Sequence, residues 1–183
     1  MNIKFTVTAV LAVVMFSLPV ATSAQDRASE LLEELAQAED ATEARRLENR
    51  IFSEWSKSGS AAMDLLLKRG TDAMEVRKFD AAIEHFRALT DHAPDFAEGW
   101  YGLALVYYER ERFGPALDAL ERVLSLNPHH FPALKGVGAI NEQVGKPVLA
   151  YQAYERVLEM RPHDPEVIEA LKRLEVKVKG VEL

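Results

Sequence analysis

Five histidines are the residues best placed to do chemistry in this chain. His85 sits beside Phe86 in a helical stretch, while His92, His129, His130 and His163 lie in or next to proline-marked turns. His129 and His163 are 34 residues apart and, with Asp164, suggest a metal site. A metal draws its ligands to about 2 Å, whereas equivalent positions of stacked helix pairs stand a full pair apart. The expectation is therefore polar turn residues and no metal. Glu33, Glu34, Glu39 and Asp40 read as a solvated helix face. Glycoside chemistry needs two acids at a fixed separation in a cleft, and no spacing here supplies that. Cysteine is absent, which removes thiolate catalysis, disulfides, iron–sulfur clusters and Cys-ligated zinc together. The patterns HExxH, GxSxG, GxxxxGK[ST] and GxGxxG are missing as well. These residues predict a protein that is not an enzyme and carries no cofactor.

The elements that position these residues begin after an address. Lys4 is the only charge before an apolar run from Phe5 to Phe16, broken by Ser17 and Pro19 and followed by the small residues Ala21 to Ala24. That is the layout of a secretory signal peptide over residues 1–24, with Gln25 as the new N-terminus. The run is shorter than the ~20 residues a spanning helix needs, so no stable membrane span is expected after cleavage. The predicted location is periplasmic or secreted. The chain of 183 residues is 48% hydrophobic and 28% charged, ordinary for a globular protein. Its formal charge of −7 lacks the basic footprint of a non-specific nucleic-acid binder, and becomes −8 when Lys4 leaves with the signal.

The dominant signal is a period of 34. Pro94, Pro128 and Pro162 keep that interval, as do Ala82, Ala116 and Ala150, then Phe86, Leu120 and Tyr154. Leu89, Val123 and Val157 form a further column, and Gly70, Ala104 and Gly138 another. Small residues in two of these columns let paired helices approach, and the large apolar column fills the gap to the next pair. Prolines close the second helix of each unit, since proline cannot continue it.

This pattern resembles the tetratricopeptide repeat (TPR), a helix–turn–helix with the signature W-x2-L-G-x2-Y, A-x3-F and P. Trp100, Leu103, Ala104, Tyr107, Ala116, Leu120 and Pro128 carry the likeness best. The resemblance implies an all-α, right-handed α-solenoid with repeats at 63–96, 97–130 and 131–164. Residues 165–183 supply a capping helix and tail, with the stripe Val167, Ile168, Leu171, Leu174 and Val178 covering the last apolar face. Upstream, Leu31, Leu32 and Leu35 argue for a helix near 27–38, and Ala44, Leu47, Ile51 and Trp55 for a second near 41–57. Asp40 and Glu43 would cap the second, and Ser60 the helix that follows. Residues 25–62 are thus a helical hairpin or a degenerate repeat. Glu48 stands where the other units have alanine, and Trp55 where a small residue is usual. The alternative is a hairpin docked elsewhere, even in the groove.

In the family, the concave face is lined by positions 2, 5, 9, 12 and 13 of each repeat. Carried over, the resemblance implies a peptide-binding surface of Leu67, Thr71, Met74, Glu75, Glu98, Tyr101, Leu105, Tyr108, Glu109, Lys135 and Glu142. Acids and aromatic rings with a single lysine favour a basic, apolar peptide or protein segment. A TPR subclass that grips C-terminal carboxylates uses Lys and Asn at the places held here by Leu67, Thr71, Leu105, Lys135 and Ala139, of which only Lys135 suits. The expected function is an exported adaptor or scaffold with an acidic, aromatic groove. The alternative is a homo-oligomeric structural protein that assembles through its solenoid ends.

Overall fold

The computed structural model describes residues 24–180. Residues 1–23, on which the signal-peptide expectation falls, lie outside the described residues. Nine helices and no strand occur among the described residues. They are α1 (Ala24–Ala36), α2 (Ala41–Trp55), α3 (Ala61–Glu75), α4 (Phe79–His92), α5 (Ala97–Glu109), α6 (Phe113–Leu126), α7 (Phe131–Gln143), α8 (Pro147–Met160) and α9 (Pro165–Lys179). From α3 onward each helix packs on its chain neighbour, as a solenoid requires.

The period has a visible basis at both kinds of turn. Within each repeat the chain reverses through a left-handed residue: Arg77 at φ 57°, Glu111 at φ 55° and Gly145 at φ 74°. The next residue closes the turn, its N–H donating to a carbonyl five residues back: Lys78 to Ala73, Arg112 to Tyr107 and Lys146 to Asn141, each at 2.8 Å. Only glycine adopts that conformation without cost, so the third turn is the relaxed one. Between repeats the second helices stop two residues short of Pro94, Pro128 and Pro162. A buried residue caps the first helix of a unit in two cases. His130 Nδ1 accepts from the Ala133 N–H at 3.1 Å, and Asp164 Oδ1 accepts from the Glu166 and Val167 N–H groups at 3.0 and 3.1 Å.

The repeat columns meet as wedges. A Cβ built on Gly70 would lie 2.4 Å from Phe86 Cε1, and one on Gly102 at the same distance from the same atom. The Phe86 ring is therefore held between α3 of its own repeat and α5 of the next. Tyr154 uses Gly138 in the same way, at 2.5 Å. Ala82, Ala116 and Ala150 are fully buried at the facing positions.

The N-terminal hairpin departs from this plan. Asp40 caps α2 as expected, accepting from the Thr42 and Glu43 N–H groups at 2.7 and 2.8 Å. Glu43 reaches back to the Glu39 N–H rather than to Asp40. Ser60 makes no side-chain cap for α3; Ser58 instead donates its N–H and hydroxyl to Asp64. More consequentially, α2 does not stack on α3. Leu31, Leu35, Ala38, Leu47 and Ile51 share one buried cluster with Phe131, Leu134, Val157, Met160, Val167 and Leu174. Helix α1 packs on α8. The hairpin thus crosses the edge where α7 and α9 begin, and is not a repeat added to the front of the solenoid.

Candidate functional site

The first helices α5, α7 and α9 line a concave groove, and α2 forms one side of it. Its floor is made of small residues, Ala104, Gly136, Ala139 and Ala170, with Leu120 and Tyr154 reaching up from the second helices. Its walls are aromatic and aliphatic: Tyr101, Leu105 and Tyr108 from α5, Phe131 from α7, and Phe52 from α2. The groove is open to solvent and has a volume of ≈ 580 Å³, within the range of ligand-binding clefts. Small floor residues make the groove deep, because every missing side chain is space a ligand can fill.

The groove end at α2 is held by a stack. His130 is buried at 1% exposure, with the Trp55 ring 4.7 Å away and nearly parallel at 15°, and the Tyr101 ring 4.7 Å away and tilted. Its Nδ1 is the acceptor at the α7 N-terminus, so Nε2 carries the proton and donates to Glu98 Oε1 at 3.0 Å. Phe52 lies 5.6 Å from Phe131, and the Arg161 guanidinium covers the Phe131 ring at 5.0 Å. Arg161 also bonds Glu48 and Asp164, each at 2.6 Å. Glu48, misplaced as a repeat residue, is therefore the hairpin's ionic tie to the solenoid.

Two groove tyrosines are strongly perturbed. Burial pushes the Tyr101 phenol up to about 12, with the nearby Glu98 charge adding to it. Burial also raises Tyr154 to about 12, helped by Glu142 and opposed by Arg173. Both hydroxyls stay neutral at any physiological pH, and suit hydrogen bonding rather than acid–base work. Tyr108 accepts a hydrogen bond from Gln143 Nε2 at 2.7 Å.

The structure gathers only part of the expected surface into this groove. Tyr101, Leu105, Tyr108 and Lys135 line it. Leu67 and Met74 pack against the core of the first two repeats, and Thr71 returns its hydroxyl to the Leu67 carbonyl. Met74, Glu75 and Glu109 line a separate shallow cleft with Arg77 and Phe79. The expected acidic character also changes. Glu98 is engaged by His130, and Glu142 is gripped by Arg173 through two bonds at 2.8 and 2.9 Å, which hold its carboxyl below the usual range. Glu109 faces Arg77 at 3.7 Å. The groove itself is lined by Glu48 and Glu166 against Lys135, Arg161 and Arg173. Sequence reasoning missed Phe52, Phe131, Arg161 and Arg173, all contributed from outside the carried-over positions. The misfit of Glu48 and Trp55 with their columns was the available signal.

The tetratricopeptide repeat family model matches residues 67–114 and 106–165. The chain belongs to the TPR family. A TPR repeat-containing protein of Rhizobium etli is 31% identical over 159 residues, covering 87% of this chain and 78% of that protein. Two solved structures share the fold. The first TPR of Spaghetti (RPAP3), bound to the HSP90 peptide SRMEEVD, superposes with a TM-score of 0.61 at 24% identity, covering 64% of this chain and 93% of that one. MamA gives 0.60 at 22% identity, covering 78% and 86%. The TPR groove here differs from a bare solenoid in having its edge built up by Glu48 and Phe52 of α2.

Proposed function

We propose that this TPR protein is a non-catalytic, exported adaptor that binds an apolar segment of a protein partner in the α5–α7–α9 groove. The observation that carries this reading is the ≈ 580 Å³ groove, floored by small residues and walled by Phe52, Tyr101, Leu105, Tyr108 and Phe131. Apolar concavities of this size mark binding sites on monomeric surfaces. A peptide-bound TPR neighbour of the same fold is consistent with it. No helix among the described residues is long and apolar enough to cross a membrane.

The charges around the groove refine the partner. With Glu98 and Glu142 already engaged, a basic segment gains less here than a net count of acids suggests. Aromatic and aliphatic side chains are the better match, with Lys135 and Arg173 at the rim ready to exchange their present partners for a partner's carboxylates. Replacing Tyr101 and Tyr108 together with Ala is expected to weaken partner capture at least about tenfold, since central aromatic anchors dominate such interfaces. Capture is measured by crosslinking in cells followed by mass spectrometry, with far-UV circular dichroism to show that helicity is kept. Unchanged capture would remove the groove from consideration. Export is tested separately by the mass of the mature protein, expected to begin at Gln25.

A further inference from the structure

The contact between the hairpin and the solenoid differs from the helix packing elsewhere. Helix α1 lies on α8, but α2 makes no extended backbone approach to any solenoid helix. Long side chains span the gap: Trp55 to His130, Phe52 to Phe131, and Glu48 to Arg161. Three clefts of ≈ 580, 260 and 480 Å³ open along this seam, and hairpin residues line all three. The seam is therefore closed at its centre, where Leu47 and Ile51 are 2% and 0% exposed, and open along its margins. Phe52 remains 40% exposed although it faces a groove that could cover it.

The connection to α3 is suited to a hinge. Residues 56–60 read Ser-Lys-Ser-Gly-Ser, and Gly59 stands at φ +79° with nothing within 4 Å of where a Cβ would be. The two bonds from Ser58 to Asp64 anchor the α3 side of this segment. Hinges are loop positions of this kind, which absorb large φ/ψ changes between rigid bodies.

We propose that the hairpin is a hinged lid that turns about residues 56–60 while α3–α9 stay folded, and that it yields its seat to an amphipathic helix of the partner. This rests on the groove reading above, because Glu48 and Phe52 wall that groove. The seat specifies the helix. Arg161 over the Phe131 ring calls for a carboxylate, and the rings of Phe131 and His130, now covered by Phe52 and Trp55, call for aromatic side chains four and seven positions beyond it, as α2 supplies with Glu48, Phe52 and Trp55. The seat is continuous with the groove through Tyr101, so a partner helix reaches surface that α2 leaves open.

Two measurements on the full chain test this. Trp100→Phe leaves Trp55 as the single tryptophan, so its emission reports docking while far-UV circular dichroism reports the helices. The lid requires Trp55 emission to shift red at lower urea than the main loss of helix. One coincident transition overturns it. A labelled synthetic peptide of residues 25–58 is then titrated against the parent chain and against Glu48→Gln/Phe52→Ala, whose own hairpin is loosened. Binding at least tenfold tighter to the variant is expected, and equal binding to both chains, or to neither, overturns displacement. The groove reading fails independently, through Tyr108→Ala leaving partner capture unchanged.

Discussion

Replacing Gly102 with Ala tests whether the Phe86 wedge sets the spacing of the first two repeats. A Cβ at 102 would lie 2.4, 2.5 and 2.6 Å from three atoms of the Phe86 ring. Carbon atoms rest at about 3.5–4.0 Å, so the ring must retreat by roughly 1 Å. It cannot retreat toward α3, where Gly70 already receives it at 2.4 Å for a Cβ. Overpacking of this kind costs about 1–3 kcal/mol, against about 1 kcal/mol gained from replacing a glycine inside a helix. The net expectation is a loss of up to about 2 kcal/mol, or up to roughly 8 °C in Tm for a chain of this size. Gly114→Ala is the control: nothing lies within 4 Å of its Cβ position, so it should gain up to about 1 kcal/mol. Phe86→Leu should relieve the clash, so the Gly102→Ala/Phe86→Leu pair should be more stable than the sum of the singles by about 1–2 kcal/mol. Urea denaturation followed by circular dichroism supplies all four values. Additive behaviour, or a Gly102→Ala protein stabilised as much as Gly114→Ala, refutes the wedge.

The left-handed turns offer a second test: Glu111→Gly should add about 0.5–1 kcal/mol of stability, and Gly145→Ala should remove about 1 kcal/mol, both read from thermal melts. The ionic tie is a third. Arg161→Gln leaves Glu48 without its cation and Asp164 with only Lys135, at 3.5 Å, and should cost about 2 kcal/mol; a cycle with Glu48→Gln should show coupling above about 0.5 kcal/mol. Tyrosine ionisation is a fourth. Tyr101 and Tyr154 are raised in the fold from about 10 to about 12, so the fold holds their protons more tightly than the unfolded chain. Their contribution is complete below pH ~10 and is lost as pH rises toward 12. Absorbance at alkaline pH should show two of the five tyrosines ionising late and together with unfolding.

The solenoid was legible because its constraints are local and repeated. Proline, alanine and aromatic columns at one interval place α3 to α8 within a few residues, and the stripe of Val167, Leu171 and Leu174 places α9. Asp40 as a cap was legible for the same reason, since its partners are two and three residues away. The hairpin's seat was not. Leu47 and Ile51 declare a buried face, yet nothing local says that Phe131 and Val157 cover it. His130 has the composition of a turn residue. Its burial depends on Trp55 and Glu98, which are distant in sequence and brought near by the superhelix. Glu142 counts as groove acid in a column of residues and becomes half of a pair only when Arg173 arrives from α9.

The seating of α1 on α8 also alters how the molecule must be made. A repeat array can consolidate as it lengthens, because each unit needs only the one before it. This chain cannot do so for its first element. Leu31, Leu35, Leu47 and Ile51 emerge early, while Val157, Met160 and Leu174, which cover them, follow more than 100 residues later. Closing so long a loop delays the contact. Until those covering residues emerge the hairpin carries a bare oily face, a natural handle for chaperones, and loss of α8 and α9 would strip it of its cover.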